Sequence, residues 1–142
     1  MERYRLTIKR IQDMDDTAYN RGNSPLHNKS YAFAERIINM VKYIDCPYKM
    51  VSLTNQIFRS GTAIGALVRE AEFAQSPSDF INKLHIALKE CNETIYWLNL
   101  LHDTDFIGDK EYDSMAKDCK ELLALLISSI KTVKKRNNVN NK

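Results

Sequence analysis

The chain has 142 residues, of which 44% are hydrophobic and 27% charged, a balance typical of one globular domain with a buried core. Four glycines and three prolines are too few for the turns of a sheet protein this long, so the composition favours helices.

A net charge of +3 does not by itself indicate a nucleic-acid partner. The three cysteines form no C-x-x-C pair, which argues against a zinc site or a disulfide framework. With neither a signal-peptide pattern nor a long apolar run, we expect a cytoplasmic protein without a membrane partner.

The first part of the chain differs from the rest. Residues 3–12, RYRLTIKRIQ, alternate apolar and basic side chains as an edge strand does, but the apolar ones also fit one face of a helix. Residues 20–29, NRGNSPLHNK, are rich in turn-forming residues and indicate a linker. We therefore predict an N-terminal arm over residues 1–29, whose secondary structure the pattern leaves open.

Two helices are predicted next. The first runs from Ser30, a suitable N-cap, to Asp45, because Pro47 cannot continue a helix. Its apolar residues share one face at helical spacing, namely Ala34, Ile37, Ile38, Val41 and Ile44. The second runs from about Tyr48 to Gln75. Its seam repeats in alternating steps of four and three residues, the heptad pattern, through Met50, Thr54, Ile57, Gly61, Ile64, Val68 and Ala71.

Gly61 and Gly65 lie inside the second helix, where each costs about 1 kcal/mol relative to alanine. The G-x-x-x-G spacing lets two helix backbones approach closely. The sequence leaves three explanations open: tight packing within a bundle, room for a partner chain, or room for a long side chain from the facing helix.

The third helix is predicted from Ser76 and Pro77 to about His102, because Ser caps a helix and Pro suits its first position. Its seam comprises Ile81, Leu84, Leu88, Cys91, Ile95 and Leu98. Outside the seam lies an apolar stripe that contains the only tryptophan, formed by Ile86, Tyr96, Trp97 and Leu100. Either the first helix or the arm covers this stripe, or it is a contact surface between subunits.

A loop around Gly108 precedes the fourth helix, which is predicted to end near Arg136 and to be followed by a flexible basic tail, residues 137–142. Its seam comprises Met115, Cys119, Leu122, Leu126 and Val133. Amphipathic helices joined by short connections pack side by side in alternating directions. The predicted fold is therefore an all-α, antiparallel up-and-down four-helix bundle over residues 30–136.

No catalytic constellation is present. His27, His85 and His102 share no metal-ligand spacing, and no histidine follows a glutamate at the Glu-x-x-His spacing of a di-iron bundle. Nucleotide-binding glycine loops and a G-x-S-x-G elbow are also absent from the sequence. Cys91 and Cys119 fall on apolar seams and are expected to be inert core residues. We predict a protein that is not an enzyme and needs no metal or cofactor.

Basic residues concentrate at the two ends of the sequence. The first group is Arg3, Arg5, Lys9 and Arg10, and the second is Lys131, Lys134, Lys135 and Arg136. Arg59 and Arg69 on the second helix are expected to point the same way and to add to them. These cations either solubilise the termini and offset a helix dipole, or they contact the phosphates of RNA or DNA.

Residues 53–101 resemble the bacterial four-helix-bundle proteins first noticed as products of intervening sequences in large-subunit ribosomal RNA genes. The matching positions are polar as well as apolar and comprise Gln56, Arg59, Ser60, Ile64, Glu70, Ser76, Phe80, Leu84, Ile86, Ala87, Glu90, Glu93, Trp97 and Leu98. The stretch GALVREA, residues 65–71, departs from the family pattern, in which many members carry an Asn and a Glu-Gly.

The resemblance implies a non-enzymatic bundle that assembles as a ring of five subunits. A related protein is the accessory variability determinant of diversity-generating retroelements, which implies binding to nucleic acid and to a reverse transcriptase. With these expectations added, the apolar stripe of the third helix is predicted to be a subunit interface. The predicted function is an oligomeric nucleic-acid-binding adaptor, and the alternative is a protein–protein scaffold that binds no nucleic acid.

Overall fold

The computed structural model describes residues 24–45 and 47–140. Within these ranges the chain forms α1 (Pro25–Tyr43), a short 3₁₀ turn (Tyr48–Met50), α2 (Val51–Glu72), α3 (Pro77–Asp103) and α4 (Asp109–Asn140). Consecutive helices pack against each other, and α1 also contacts α4, which closes the bundle. The predicted all-α, up-and-down four-helix bundle is confirmed. The basic residues Arg3, Arg5, Lys9 and Arg10 lie outside the described residues.

Helix α1 begins at Pro25, so the prediction of a start at Ser30 is wrong. Ser24 is the N-cap, since its Oγ accepts a hydrogen bond from the backbone N–H of His27 at 3.1 Å, and Pro25 occupies the first turn. Ser30 is instead buried, and its hydroxyl donates to the carbonyl of His27 at 3.1 Å. The same Ser-Pro pair starts α3, where Ser76 Oγ accepts from the N–H of Asp79 at 3.0 Å.

The buried face of α1 differs from the predicted one. Its buried residues are Leu26, Ser30, Phe33, Ile37 and Met40. Ile37 is shared with the prediction, whereas Ala34, Ile38 and Val41 lie at the margin of the core. In α2 the predicted seam is buried from Thr54 to Ala71, and only Met50 is exposed.

Helices α1 and α2 approach closely at the two glycines. A Cβ added at Gly61 would lie 2.6 Å from Cγ1 of Ile37, and one added at Gly65 would lie 3.2 Å from the backbone oxygen of Ser30. A carbon–carbon distance of 2.6 Å is well inside van der Waals contact. The two glycines of α2 therefore allow α1 to pack closely, and the side chain of Ile37 fills the space next to Gly61.

Polar groups inside the bundle are paired. Thr94 on α3 donates its hydroxyl to Ser60 Oγ on α2 at 3.0 Å, and both residues are fully buried. Between α3 and α4, the sulfurs of Cys91 and Cys119 lie 3.4 Å apart, and Cys91 Sγ is 3.1 Å from the carbonyl of Cys119. Hydrogen bonding with Cys91 and burial raise the pKa of the Cys119 thiol. Among the described residues no buried side-chain polar atom lacks a partner.

Candidate interaction surfaces

A charge cluster joins the outer edges of α2 and α3. The guanidinium of Arg59 donates to Glu93 Oε1 at 2.7 Å and to Glu90 Oε1 at 3.2 Å. Glu93 Oε1 also accepts from the indole N–H of Trp97 at 3.1 Å. Arg59, followed by Trp97, lowers the pKa of Glu93, and Glu93 and Glu90 raise the pKa of Arg59. Arg59 was predicted to contact nucleic acid, and in the structure both of its terminal nitrogens donate to these carboxylates.

The other arginine predicted on this helix points elsewhere. Arg69 lies over the ring of Tyr31 on α1, with its guanidinium carbon 5.6 Å from the ring centroid, a cation–π geometry. Arg59 leans towards α3 and Arg69 towards α1. The prediction that they point the same way is therefore wrong, because ten residues along a helix is not a whole number of turns.

The apolar stripe lies on the outer side of α3. Tyr96 is 55% exposed, whereas Ile86, Trp97 and Leu100 are half-buried. The ring of Tyr96 meets that of Trp97 edge to face, with centroids 4.9 Å apart. Helix α1 packs on α2 and α4 rather than on α3. The interpretation in which α1 covers the stripe is therefore excluded. Tyr96 is the most exposed residue of the stripe.

The C-terminal half of α4 carries basic residues and no acidic ones. No acidic residue follows Glu121 in the sequence. Ile130 is the last buried residue of α4, yet the helix continues to Asn140. The exposed cations of this segment, which we call the basic end of α4, are Lys131, Lys134, Lys135 and Arg136. They form no ion pair with any described residue, in contrast to Lys29, Arg36 and Lys83, which pair with Glu121, Asp118 and Glu70 respectively.

The prediction that α4 ends near Arg136 is wrong, and this weakens one explanation for its cations. The last turn of the helix contains no basic residue. Stabilisation by the helix dipole fades within one turn of the helix end. The basic end of α4 is therefore not explained as compensation for the dipole.

The topology brings the first described residue and the C-terminal half of α4 to one end of the bundle. Ser24, the first described residue, lines the same cavity as Ser128, Ser129, Thr132 and Val133 of α4. Residues 1–23 are therefore attached at the same end as the basic end of α4. The opposite end carries the connection between α3 and α4, which is acidic through Asp103, Asp105 and Asp109.

Comparison with known proteins identifies the family. Residues 23–128 match the family model described as 23S rRNA-intervening sequence protein. The chain belongs to this family. A crystal structure of a protein with unknown function from the S23 ribosomal protein family of Bacteroides thetaiotaomicron is similar to it, with 53% sequence identity and a TM-score of 0.71. That match covers 75% of this chain and 98% of the other. No curated protein matches significantly.

Five of the residues that carry the family resemblance lie together. Arg59, Glu90, Glu93 and Trp97 form the charge cluster, and Ser60 lies directly beneath it in the core. In this member of the intervening-sequence protein family the motif therefore fastens α2 to α3.

The described residues contain neither a group of three potential ligands that could hold a metal ion nor a helix long and apolar enough to cross a membrane. Sequence reasoning missed two features of the surface: the end of the bundle shared by Ser24 and the C-terminal half of α4, and the extension of α4 beyond the core. The first follows from any up-and-down bundle with an even number of helices. The second was hidden because the polar residues 137–140 give no apolar periodicity.

Proposed function

We propose that the protein is a non-enzymatic oligomeric adaptor that binds the phosphate backbone of RNA or DNA through the basic end of α4. The observation that carries the proposal is the concentration of four cations on the part of α4 that extends beyond the core, where the sequence contains no acidic residue. Arg59, Arg36 and Lys83 are paired with carboxylates, whereas the basic end of α4 has no acidic partner among the described residues and extends beyond the core. Unpaired, exposed cations on one face are what backbone binding requires.

Assembly into a ring would multiply this contact. One subunit offers only a few cations, which gives weak and salt-sensitive binding. Several copies arranged around one axis present the basic end of α4 repeatedly, and multivalency raises the avidity without any new contact. The ring of five subunits is what the family resemblance implies, and the exposed Tyr96 on the outer side of α3 supports an interface there.

The protein partner that the resemblance implies is a retroelement reverse transcriptase. An adaptor of this kind would hold a nucleic acid near the enzyme while contributing no catalytic group. The alternative function is a protein–protein scaffold whose cations only keep it soluble. The exposed edge of Tyr96 and Trp97 favours protein contacts in either case.

A salt titration with matched variants tests the nucleic-acid role. In the test variant, Lys134, Lys135 and Arg136 are replaced by Gln. In the control, Lys42, Lys49 and Lys110, which are exposed residues near the opposite end of the bundle, are replaced by Gln, so that the net charge is the same. Binding to RNA and DNA oligonucleotides is measured by fluorescence anisotropy between low and physiological salt.

We expect the test variant to bind more weakly and the slope of log K against log salt to fall by roughly 0.7 to 0.9 for each phosphate that the variant no longer neutralises. The control should bind like the parent protein. Affinity that ignores ionic strength, or equal weakening in both variants, would contradict a specific cationic site. If the parent binds neither RNA nor DNA but still captures a protein after nuclease treatment, the scaffold function is the correct one.

A further inference from the structure

An apolar cavity of about 210 Å³ opens at the end of the bundle where α1 begins. Its apolar walls come from all four helices: Leu26 of α1, Val68 of α2, Phe80 and Leu84 of α3, and Val133 of α4. An apolar cavity of about 150 Å³ in a protein core is large enough to bind benzene. This cavity therefore has room for a small organic ligand of roughly six to eight non-hydrogen atoms.

The polar groups that line the cavity are the hydroxyls of Ser24, Ser128, Ser129 and Thr132, each of which can accept a hydrogen bond, and one carboxylate. The hydroxyls of Ser129 and Thr132 donate to the carbonyls of Leu125 and Ser128, at 2.8 and 3.0 Å, so their lone pairs remain available. Ser24 Oγ already accepts from a backbone N–H, which leaves it one further lone pair. The carboxylate is that of Glu72, whose side chain is only 13% exposed.

Glu72 is held in place at the cavity by α1. Its Oε1 is 2.5 Å from Nδ1 of His27, and His27 does not itself line the cavity. No lysine, arginine or histidine is among the described residues that line it. A ligand that enters this cavity therefore meets one negative charge and several lone pairs, but no cationic side chain.

We propose that this cavity binds a primary alkylammonium ion, with its hydrocarbon chain against the apolar walls and its ammonium group at Glu72 and the neighbouring hydroxyls. An ammonium group has three donors and no acceptor, which complements a rim of acceptors. A carboxylate or phosphate ligand would face the carboxylate of Glu72, and the basic residue in contact with that carboxylate, His27, does not line the cavity. A neutral alcohol would fill the same volume but lack the charge-assisted hydrogen bond. The lysines of the basic end of α4 are exposed to solvent, where salt screens their repulsion of a cation.

The test compares three probes of equal length on the full chain at neutral pH: n-hexylammonium, 1-hexanol and hexanoate. Methyl resonances of Leu26, Val68, Leu84 and Val133 report binding inside the cavity. We expect saturable shifts with n-hexylammonium, weaker binding of 1-hexanol by roughly ten- to a hundredfold, and no binding of hexanoate. Equal affinities for the ammonium and the alcohol, or no methyl shifts at millimolar ammonium, would overturn the proposal.

Two variants locate the site. Glu72→Gln should remove the preference for n-hexylammonium over 1-hexanol while both still bind in the cavity. Ser129→Leu places apolar bulk at the rim and should block both probes. If neither substitution changes the shifts, the probe binds elsewhere and the proposed site is wrong. These outcomes do not depend on nucleic-acid binding, which the α4 variants test separately.

Discussion

At the scale of single residues, the contact between Gly61 and Ile37 gives the sharpest prediction. Gly61→Ala should destabilise the protein by ~1–3 kcal/mol, because the new Cβ would lie 2.6 Å from Cγ1 of Ile37 and the packed helices cannot separate freely. In an Ile37→Ala background the space is open. There the same substitution should stabilise by about 1 kcal/mol through the higher helix propensity of alanine.

Urea unfolding of the four proteins in this cycle measures the coupling between the two sites. Gly108→Ala is the control, since nothing lies within 4 Å of a Cβ at that position. A Gly61→Ala variant that unfolds like the parent protein would mean that α1 is not seated on Gly61.

The sequence predicted the α2 seam better than the α1 seam, and the reason lies in particular residues. In α2, Ile57, Ile64 and Val68 mark the buried face without ambiguity. In α1 the buried position opposite Gly65 is Ser30, because the backbones approach too closely there for a larger side chain. A hydrophobic pattern cannot identify a buried serine, and apolar residues lie on both sides of Ile37. The predicted face of α1 was therefore rotated towards Ile38 and Val41 and away from the buried Phe33 and Met40.

At the scale of secondary-structure elements, the corner between α3 and α4 is held by a histidine. His102 Nε2 lies 2.6 Å from Oδ1 of Asp109, and its ring stacks on Tyr112 with centroids 4.3 Å apart. The hydroxyl of Tyr112 on α4 donates to Asn99 Oδ1 on α3 at 2.5 Å, so a second side-chain contact links the two helices. The C-terminus of α3 and the N-terminus of α4 are therefore joined through side chains as well as through the chain.

This corner predicts a pH dependence of stability. Asp109 raises the pKa of His102 above its ordinary value of 6.5 in the folded protein. The protonated histidine therefore stabilises the fold fully below pH 6.5, and this contribution is lost as the pH rises through the folded value. The difference in urea midpoint between the parent protein and His102→Gln should be larger at about pH 5.5 than at about pH 9.

His85→Gln serves as the matched control, because His85 is an exposed histidine in the middle of the same helix. Only the part of the His102→Gln effect that exceeds the one measured for His85→Gln is attributed to the contact between His102 and Asp109. A His102→Gln difference that grows with pH would reverse the predicted sign and show that Asp109 does not stabilise the protonated form.

Helix starts show how far capping rules reach at this scale. The same Ser-Pro pair begins α1 and α3, yet at residues 76–77 it was recognised and at residues 24–25 it was assigned to a linker. Asn and Gly residues next to Ser24 have strong turn preferences, so the prediction assigned residues 24–25 to a turn-rich linker and missed the helix cap. The charge cluster of Arg59 could not be predicted from the sequence either. Its partners lie on another helix, and which of them Arg59 meets depends on the register between α2 and α3.

At the scale of the whole molecule, the direction of the four helices determines where charge collects. An even number of alternating helices returns the end of α4 to the end of the bundle where α1 begins, so the basic end of α4 lies near the point at which residues 1–23 join the bundle. The acidic connection of α3 and α4 lies at the other end. A ring of parallel subunits would therefore have one cationic rim, which is the geometry that multivalent phosphate binding needs.

Assembly itself is best tested at Tyr96. Substitution of Trp97 would confound folding with assembly, because Trp97 packs against the core and donates to Glu93. Tyr96 is 55% exposed, so Tyr96→Glu should leave the protomer folded while placing a charge in the proposed interface. Light scattering at micromolar concentration should then show a smaller particle, and circular dichroism should show unchanged helical content.

The control is Tyr43→Glu, on the 86% exposed tyrosine that ends α1, which should keep the mass of the parent protein. A parent protein that is already monomeric, or a Tyr96→Glu variant of undiminished mass, would remove the α3 stripe from the assembly and leave the basic end of α4 with only the weak binding of a single copy.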